Sequence, residues 1–462
     1  MEALIRIAAV TAVFVIAGCA VTPIEHAADS AAGSLAARKD VMPAWPDGRA
    51  ETPPSFDGPL DLPAALTLAF MHNPEIHRQY ARLGIAHADL VQAARIANPR
   101  LSFAWLDPDG AGRDRTTQGI VIGFSDLLLL PARRRLSATD YRRVQLEVAA
   151  RLVALARDVE IAWYSQVSAM QIAAVREAAA RAAAAEAELA RRFHQAGNIA
   201  KLDLDLREAG ASRRAIESLR ARSDVVAARA RLADLLGLGT DAAWRTVDRL
   251  PEPPESPINQ QELQTLALEQ RLDLAAQREE IALLEDSLRV TRRWRWFGGT
   301  NIGYERERET DGAKLRGPTL EFELPLFDQH QGTVARAEAQ LADARARHEA
   351  SALAARNEIA AGTERLEIAR AIAAQHRDIL LPALGSVVAR RQERFNYMLH
   401  GPFELFDAKG DELRAWQDWL ESVRDYWIAR SALAAAAGGR LPGDRADWPL
   451  TIGAQEITGE SS

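Results

Sequence analysis

Few residues of this 462-residue chain are placed to do chemistry. His72, His77 and His87 lie close enough in sequence to raise the question of a metal site. His72 precedes a helix start, however, and at about 100° per residue His77 and His87 fall well apart around the axis. The three read as solvated surface, and His330, beside Gln329, reads as a solvated turn residue. There is no nucleophile elbow, no Gly-rich phosphate loop before a helix and no His-Glu-x-x-His. Nothing assembles an acid, a base and a nucleophile, so no catalytic residue, metal or cofactor is assigned and an enzyme is the poorest reading. A single Cys excludes an internal disulfide framework and a multi-thiolate zinc site. The net charge of −7 argues against a nucleic-acid partner.

That cysteine, Cys19, has a position that suits one reaction. A largely apolar run from Ile7 to Ala17 is too short for an ordinary membrane span but fits the core of a secretory signal. Ile16-Ala17-Gly18-Cys19 resembles the lipobox of bacterial lipoproteins, in which small residues precede a thiol that is acylated and becomes the mature N-terminus. Residues 1–18 are thus expected to be a signal peptide. Residues 19–59, rich in Ala, Pro, Asp and Gly, read as an acylated tether. Ala20 follows, without the Asp associated with inner-membrane retention, which directs the expectation to the outer membrane.

Behind these few residues stands a repeated plan. Leu62 to Phe70 follow helical spacing, and Asn73-Pro74 starts a second helix by a cap followed by proline, running towards Ala97. Leu101, Phe103 and Trp105 alternate with small residues, as do Ile120, Ile122 and Phe124, so a hairpin is expected at about 100–125. Pro131 then opens a stretch rich in Ala, Arg, Glu and Leu, read as a helix of roughly 65 residues, about 100 Å, from Ala132 to Ala196. After Gly197-Asn198 another long helix runs to Leu236.

The same order then returns. A Pro-rich connector leads to helices from Leu263 and Asp273, a hairpin at about 300–326, and long helical stretches with Pro382 as a kink. Trp294, Trp296 and Phe297 precede the third strand, where they read equally as an interfacial girdle or as core. Ile76 falls on Leu274 and Arg192-Phe193 on Arg394-Phe395, with Gly197 matched to Gly401. The chain therefore divides into repeats 60–250 and 251–440, with a tail at 441–462.

Four strands cannot close a barrel, and an open sheet edge is intolerable in lipid. Three copies would supply twelve strands, and their long helices would continue the barrel as a hollow cylinder. The fold class expected is mainly α with a small β part: a duplicated long-helix and β-hairpin protomer forming a trimeric 12-stranded outer-membrane β-barrel continued by a periplasmic α-helical barrel. Gly197 and Gly401 would then mark the periplasmic tip. Asp203, Asp205, Asp407 and Asp411, just beyond them, are candidates for an acidic ring at its aperture, with a solvated helix face as the plainer alternative.

The order helix, Asn73-Pro74-Glu75-Ile76, helix, Asn98-Pro99-Arg100-Leu101, hairpin is similar to the outer membrane efflux protein (TolC) family. Gly317 to Asp328 and the Arg192-Phe193, Gly197, Leu202-Asp203 turn resemble further family motifs. The likeness covers about residues 60–440, and the lipobox fits the family's lipoprotein subset. It implies a homotrimeric outer-membrane duct of a tripartite efflux system, passive itself. Its implied partners are outer-membrane lipid, a periplasmic adaptor protein and an inner-membrane transporter of the resistance-nodulation-division type. It further implies adaptor contact at the tip, for which Arg192, Phe193, Gly197, Arg394, Phe395 and Gly401 are the candidates. The alternative reading is a periplasmic coiled-coil adaptor or structural lipoprotein. An adaptor, however, would be expected to carry several β-rich domains flanking a helical hairpin.

Overall fold

The computed structural model describes residues 58–441 apart from 108, 111–112, 240–241, 256–257 and 297–298. Cys19, the signal segment, the tether up to residue 57, Phe297 and residues 442–462 lie outside the described residues. The Asp61 carboxylate accepts the backbone N–H of Ala64 at 2.8 Å and starts α1 (Leu62–His72). Asn73 ends α1 and caps α2 (Pro74–Ala93) by accepting the N–H of Glu75 at 2.7 Å. α2 stops before Ala97, because the approach to Asn98-Pro99 favours extended backbone.

β1 (Arg100–Leu106) and β2 (Arg115–Gly123) form the first hairpin, and β3 (Thr300–Arg308) and β4 (Lys314–Phe322) the second. They join in one antiparallel sheet of order β1-β2-β3-β4, in which β2 and β3 bring the two repeats together. Leu101 lies opposite Ile120, Ile120 opposite Tyr304, and Tyr304 opposite Pro318, so these residues share one face. That face is exposed along β2 and β3, whereas Thr117, Gly119, Gly303 and Glu305 of the other face are partly shielded.

β2 passes straight into α3 (Phe124–Gln195), a helix of 72 residues, roughly 110 Å long. The sequence reading started this helix after Pro131, but Pro131 lies inside it, at the start of its third turn. A proline there forfeits the N–H that would reach Leu127. The Arg133 guanidinium donates to the neighbouring carbonyl of Asp126, which ties the first turns together. In the second repeat β4 leaves through a loop to His330, which holds φ 62° before α7 (Gln331–Gln375). His330 also lies 3.7 Å from the Asp328 carboxylate, a neighbour not evident from the sequence.

α4 (Lys201–Leu236) returns along α3, and α5 (Gln260–Gln270) and α6 (Leu272–Trp294) repeat the roles of α1 and α2. α7 passes through a π-helical turn, His376–Leu380, into α8 (Leu381–Asn396), so the break expected at Pro382 is a π-bulge immediately before it. α9 (Pro402–Ala436) closes the second repeat.

The core sits midway along the helices, where α1, α2 and α5 pack on α3, α4, α7 and α9. Trp163, Phe70, Tyr80, Leu152 and Ile359 are fully buried there. Trp163 donates to the carbonyl of Leu60 at 3.0 Å and Trp427 to that of Pro251 at 2.8 Å, pinning the two connectors to the bundle. Away from this belt α8 buries only Leu381, and Leu353, Ile368 and Ile379 are exposed. These apolar residues have no cover within the described chain.

Candidate functional site

The end of the helices farthest from the sheet is where the two repeats meet through side chains. At the first turn Gly197 adopts φ 76°, and Asn198 N–H returns to the carbonyl of Phe193 at 2.8 Å. At the second turn Met398 adopts φ 55°, and Leu399 N–H returns to the carbonyl of Arg394 at 3.0 Å. These hydrogen bonds match Gly197 with Met398 and Phe193 with Arg394. Gly401, with φ −73° and ψ 163°, is the extended N-cap of α9 and matches Ala200, the N-cap of α4. The sequence pairing of Gly197 with Gly401 is therefore corrected: Gly401 lies three residues past the true counterpart, and the two arginine-phenylalanine steps, which look alike, are one residue out of register.

The expected tip residues occupy different environments. Arg192 is exposed and bonded to Glu188 at 3.0 Å, while Arg394 reaches the ring of His400 at 3.1 Å. Phe395 is 38% exposed, whereas Phe193 turns inward to meet Phe403 edge-on, with ring centroids 5.7 Å apart. Phe403 in turn receives the Arg207 guanidinium over its face at 5.1 Å. Arg207 also bonds Glu186 and, from the other repeat, Asp407 at 2.8 Å. This group of Phe193, Glu186, Arg207, Phe403 and Asp407 ties α3 and α4 to α9. Burial pushes the Glu186 carboxyl above its ordinary value, Arg207 draws it down, and the Asp407 charge raises it further.

The acidic candidates are engaged in the same way. Asp407 is held by Arg207, Asp205 by Lys201 at 2.6 Å, and Asp411 by Arg414, while Asp203 lies exposed on the first turn of α4. In one protomer, three of the four carboxylates thus face cations. The sequence reading missed Arg207 and Phe403, and it missed an apolar ridge at the turns. Met398 is 93% exposed, flanked by exposed Tyr397 and Leu399, with Leu202 and Leu206 exposed on α4. Three consecutive large apolar residues in a turn were the available signal.

At the opposite end lies the sheet. Its exposed face carries Leu101, Ile120, Ile122, Ile302, Tyr304, Leu320 and Phe322. The apolar band continues past the strands into Phe124, Leu127, Leu128, Leu324, Leu326 and Phe327, the last 95% exposed. The shielded face carries Gly119, Gly303 and Gly317 with Glu305 and Glu307, and Glu307 pairs with Arg115. Trp105 donates to Asp114 at 2.9 Å, and Arg295 lies over Trp296 at 4.9 Å, so both indoles sit at strand ends rather than in a core. Among the described residues no three His, Cys, Asp or Glu converge on a metal position, and His87 instead lies against Tyr141. No helix among them is long and apolar enough to cross a membrane.

No known family's sequence profile matches the chain. It is 24% identical over 367 residues to the cobalt-zinc-cadmium resistance protein CzcC of Cupriavidus metallidurans, covering 76% of this chain and 85% of that one. Its structure is similar to that of the outer membrane protein VceC of Vibrio cholerae, with a TM-score of 0.67 at 17% identity, over 82% of this chain and 96% of that one. The Campylobacter jejuni CmeC outer membrane channel gives a TM-score of 0.68 at 14% identity, over 83% and 87% of the two chains. The long-helix and hairpin architecture is the one these outer-membrane proteins share.

Proposed function

We infer that this chain, which has the fold of the outer membrane efflux protein (TolC) family, is the outer-membrane channel of an export system. One observation carries the reading furthest. β1 and β4 are open edges of a sheet whose exposed face is apolar, and that sheet continues into helices roughly 110 Å long. In lipid those edges must pair, and a second copy's β1 is the complement of β4. Three copies give an even, closed set of twelve strands. The exposed apolar residues of α7 then find cover on the neighbouring protomer, and the shielded sheet face lines the lumen.

In this arrangement the helical tip opens into the periplasm. Its ridge of Leu202, Met398 and Leu399, with Arg192 and Phe395 beside it, is the surface offered to an adaptor. The energy comes from an inner-membrane transporter, for which we propose the resistance-nodulation-division type. Cys19 carries the lipid that tethers the mature chain. The carboxylates of the shielded sheet face favour a cationic cargo, as does the name of the Cupriavidus relative. No described element supplies the several β-rich domains that the adaptor alternative requires.

Cross-linking intact outer membranes should trap a trimer, and extraction should need detergent even after Cys19→Ser. A monomer released without detergent sinks the reading. In planar bilayers, Arg207→Met with Asp407→Asn should raise conductance by loosening the tip. Deletion of the gene should sensitise cells to cobalt, zinc or cadmium if the cargo is cationic.

A further inference from the structure

The outer rim of the sheet carries a charge pattern that a duct does not require. On β3 and β4, Arg306 lies directly opposite Arg316, and Arg308 directly opposite Lys314. Both pairs belong to the exposed face, two and four residues beyond Tyr304 and Pro318. Neighbouring strands stand about 4.8 Å apart and alternate residues about 6.7 Å apart, so the four cations form a tight two-by-two array. Like charges directly across a strand pair destabilise a sheet. Among the described residues no ion pair relieves any of the four.

The nearby carboxylates are committed elsewhere. Glu305 and Glu307 belong to the shielded face, where Glu307 holds Arg115. Asp311 accepts the N–H of Ala313 at 2.8 Å inside the hairpin turn. On β2 the residues level with the array are Gln118 and Thr116, both uncharged donors. On β2, β3 and β4 the apolar band lies on the helix side of these rows, from Tyr304 down to Phe327, while on β1 the exposed aromatics Phe103 and Trp105 stand level with them as an interfacial girdle would. The cations thus stand where acyl chains give way to headgroups, at the end of the barrel away from the periplasmic helices.

We propose that Arg306, Arg308, Lys314 and Arg316 form a docking site for the phosphates of outer-leaflet glycolipid. The proposal rests on the outer-membrane reading above. A self-repelling cationic array beside an acyl-facing surface is complementary to one ligand chemistry, a phosphorylated headgroup on a lipid. Arginine matches phosphate oxygens with paired N–H donors, and Gln118 and Thr116 can complete the shell.

Native mass spectrometry of the detergent-purified whole protein tests it, with bis-phosphorylated lipid A, dephosphorylated lipid A and inorganic phosphate as probes. The phosphorylated lipid should bind at least about tenfold more tightly than the dephosphorylated one, since each surface cation contributes on the order of a factor of five. Arg306→Gln with Arg316→Gln should weaken it by about tenfold or more. Arg306→Lys with Arg316→Lys keeps the charge but loses the paired donors and should fall between the unaltered protein and the Gln variant, and Glu305→Gln on the other face should leave binding unchanged. Equal binding of the two lipids by the unaltered protein, or undiminished binding by the Gln variant, overturns the proposal. Full competition by inorganic phosphate overturns its assignment to lipid. A protein that purifies as a monomer without detergent, before any probe is added, removes the outer-membrane reading and this one together.

Discussion

The two repeats solve the same backbone problems with different residues, and the differences follow the space available. Each repeat's last helix ends in a left-handed glycine against the junction of its two short helices. Gly237, at φ 69°, abuts the carbonyl of His72, and Gly438, at φ 105°, abuts Gln270. Beside them a side chain from each junction caps the helix end. Asn73 donates to the carbonyl of Leu235 at 2.7 Å, and Arg271 to that of Ala436 at 3.5 Å. At the tips, by contrast, Gly197 faces open space, and its counterpart is Met398. Glycine is kept where another backbone leaves no room for a Cβ. Where solvent surrounds the turn it can be replaced, at the cost of αL strain alone.

The largest effect therefore belongs to the crowded junction. Gly237→Ala should cost at least about 3 kcal/mol, because αL strain adds to a clash with the His72 carbonyl. Gly438→Ala should cost less, about 2 kcal/mol, since the added Cβ would meet the Gln270 Cβ at 3.0 Å and its backbone at 3.2 Å. Thermal loss of the helical circular-dichroism signal ranks the two. Equal costs would remove the argument from space.

Next come the caps. Asn73→Ala should cost about 2 kcal/mol, since it loses an N-cap and leaves the Leu235 carbonyl buried without its donor. The second junction is ionic instead. Arg271 holds Asp273 at 2.8 Å and Glu358 at 2.7 Å. Burial pushes the Asp273 carboxyl up, but hydrogen bonds and charge from Arg271, with the Leu274 N–H, bring it below its ordinary value. A depressed carboxylate contributes stability above its unfolded value, and that stability is lost as pH falls through the folded one. Acidification below about pH 4 should accordingly weaken the second junction. Arg271→Met should flatten that part of the stability profile, whereas Asn73→Ala should leave its slope unchanged. Parallel profiles for Arg271→Met and the unaltered protein would refute the assignment.

The contrast also marks what the sequence could reveal. Strand alternation and the clustering of prolines in connectors are local signals, so the repeated long-helix and hairpin plan was readable. Pro131 misled because helix interiors normally exclude proline, and only the structure shows Arg133 taking the Asp126 carbonyl in the turn that the ring disturbs. The group of Arg207, Phe403 and Asp407 was invisible for another reason. Its members lie about two hundred residues apart, and each alone is an ordinary helix residue. The register at the tips failed because Arg-Phe occurs in both turns, and the hydrogen-bond closure is a property of the backbone.

The smallest effects test that register directly. If Met398 is the counterpart of Gly197, Met398→Gly relieves αL strain while losing little packing, because the side chain is 93% exposed. The added freedom of the unfolded chain offsets part of the gain, which leaves a net stabilisation of at most about 1 kcal/mol. Gly197→Ala should destabilise by about the same amount, with no steric term. Gly401→Ala, by contrast, should be nearly neutral, since φ −73° is open to any residue and Ala200 already occupies the matching position. A Gly401→Ala cost as large as that of Gly197→Ala would restore the sequence register and overturn the structural one. Met398→Gly carries a functional reading too: if the exposed side chain is part of the adaptor ridge, export should fall even as the protomer gains stability.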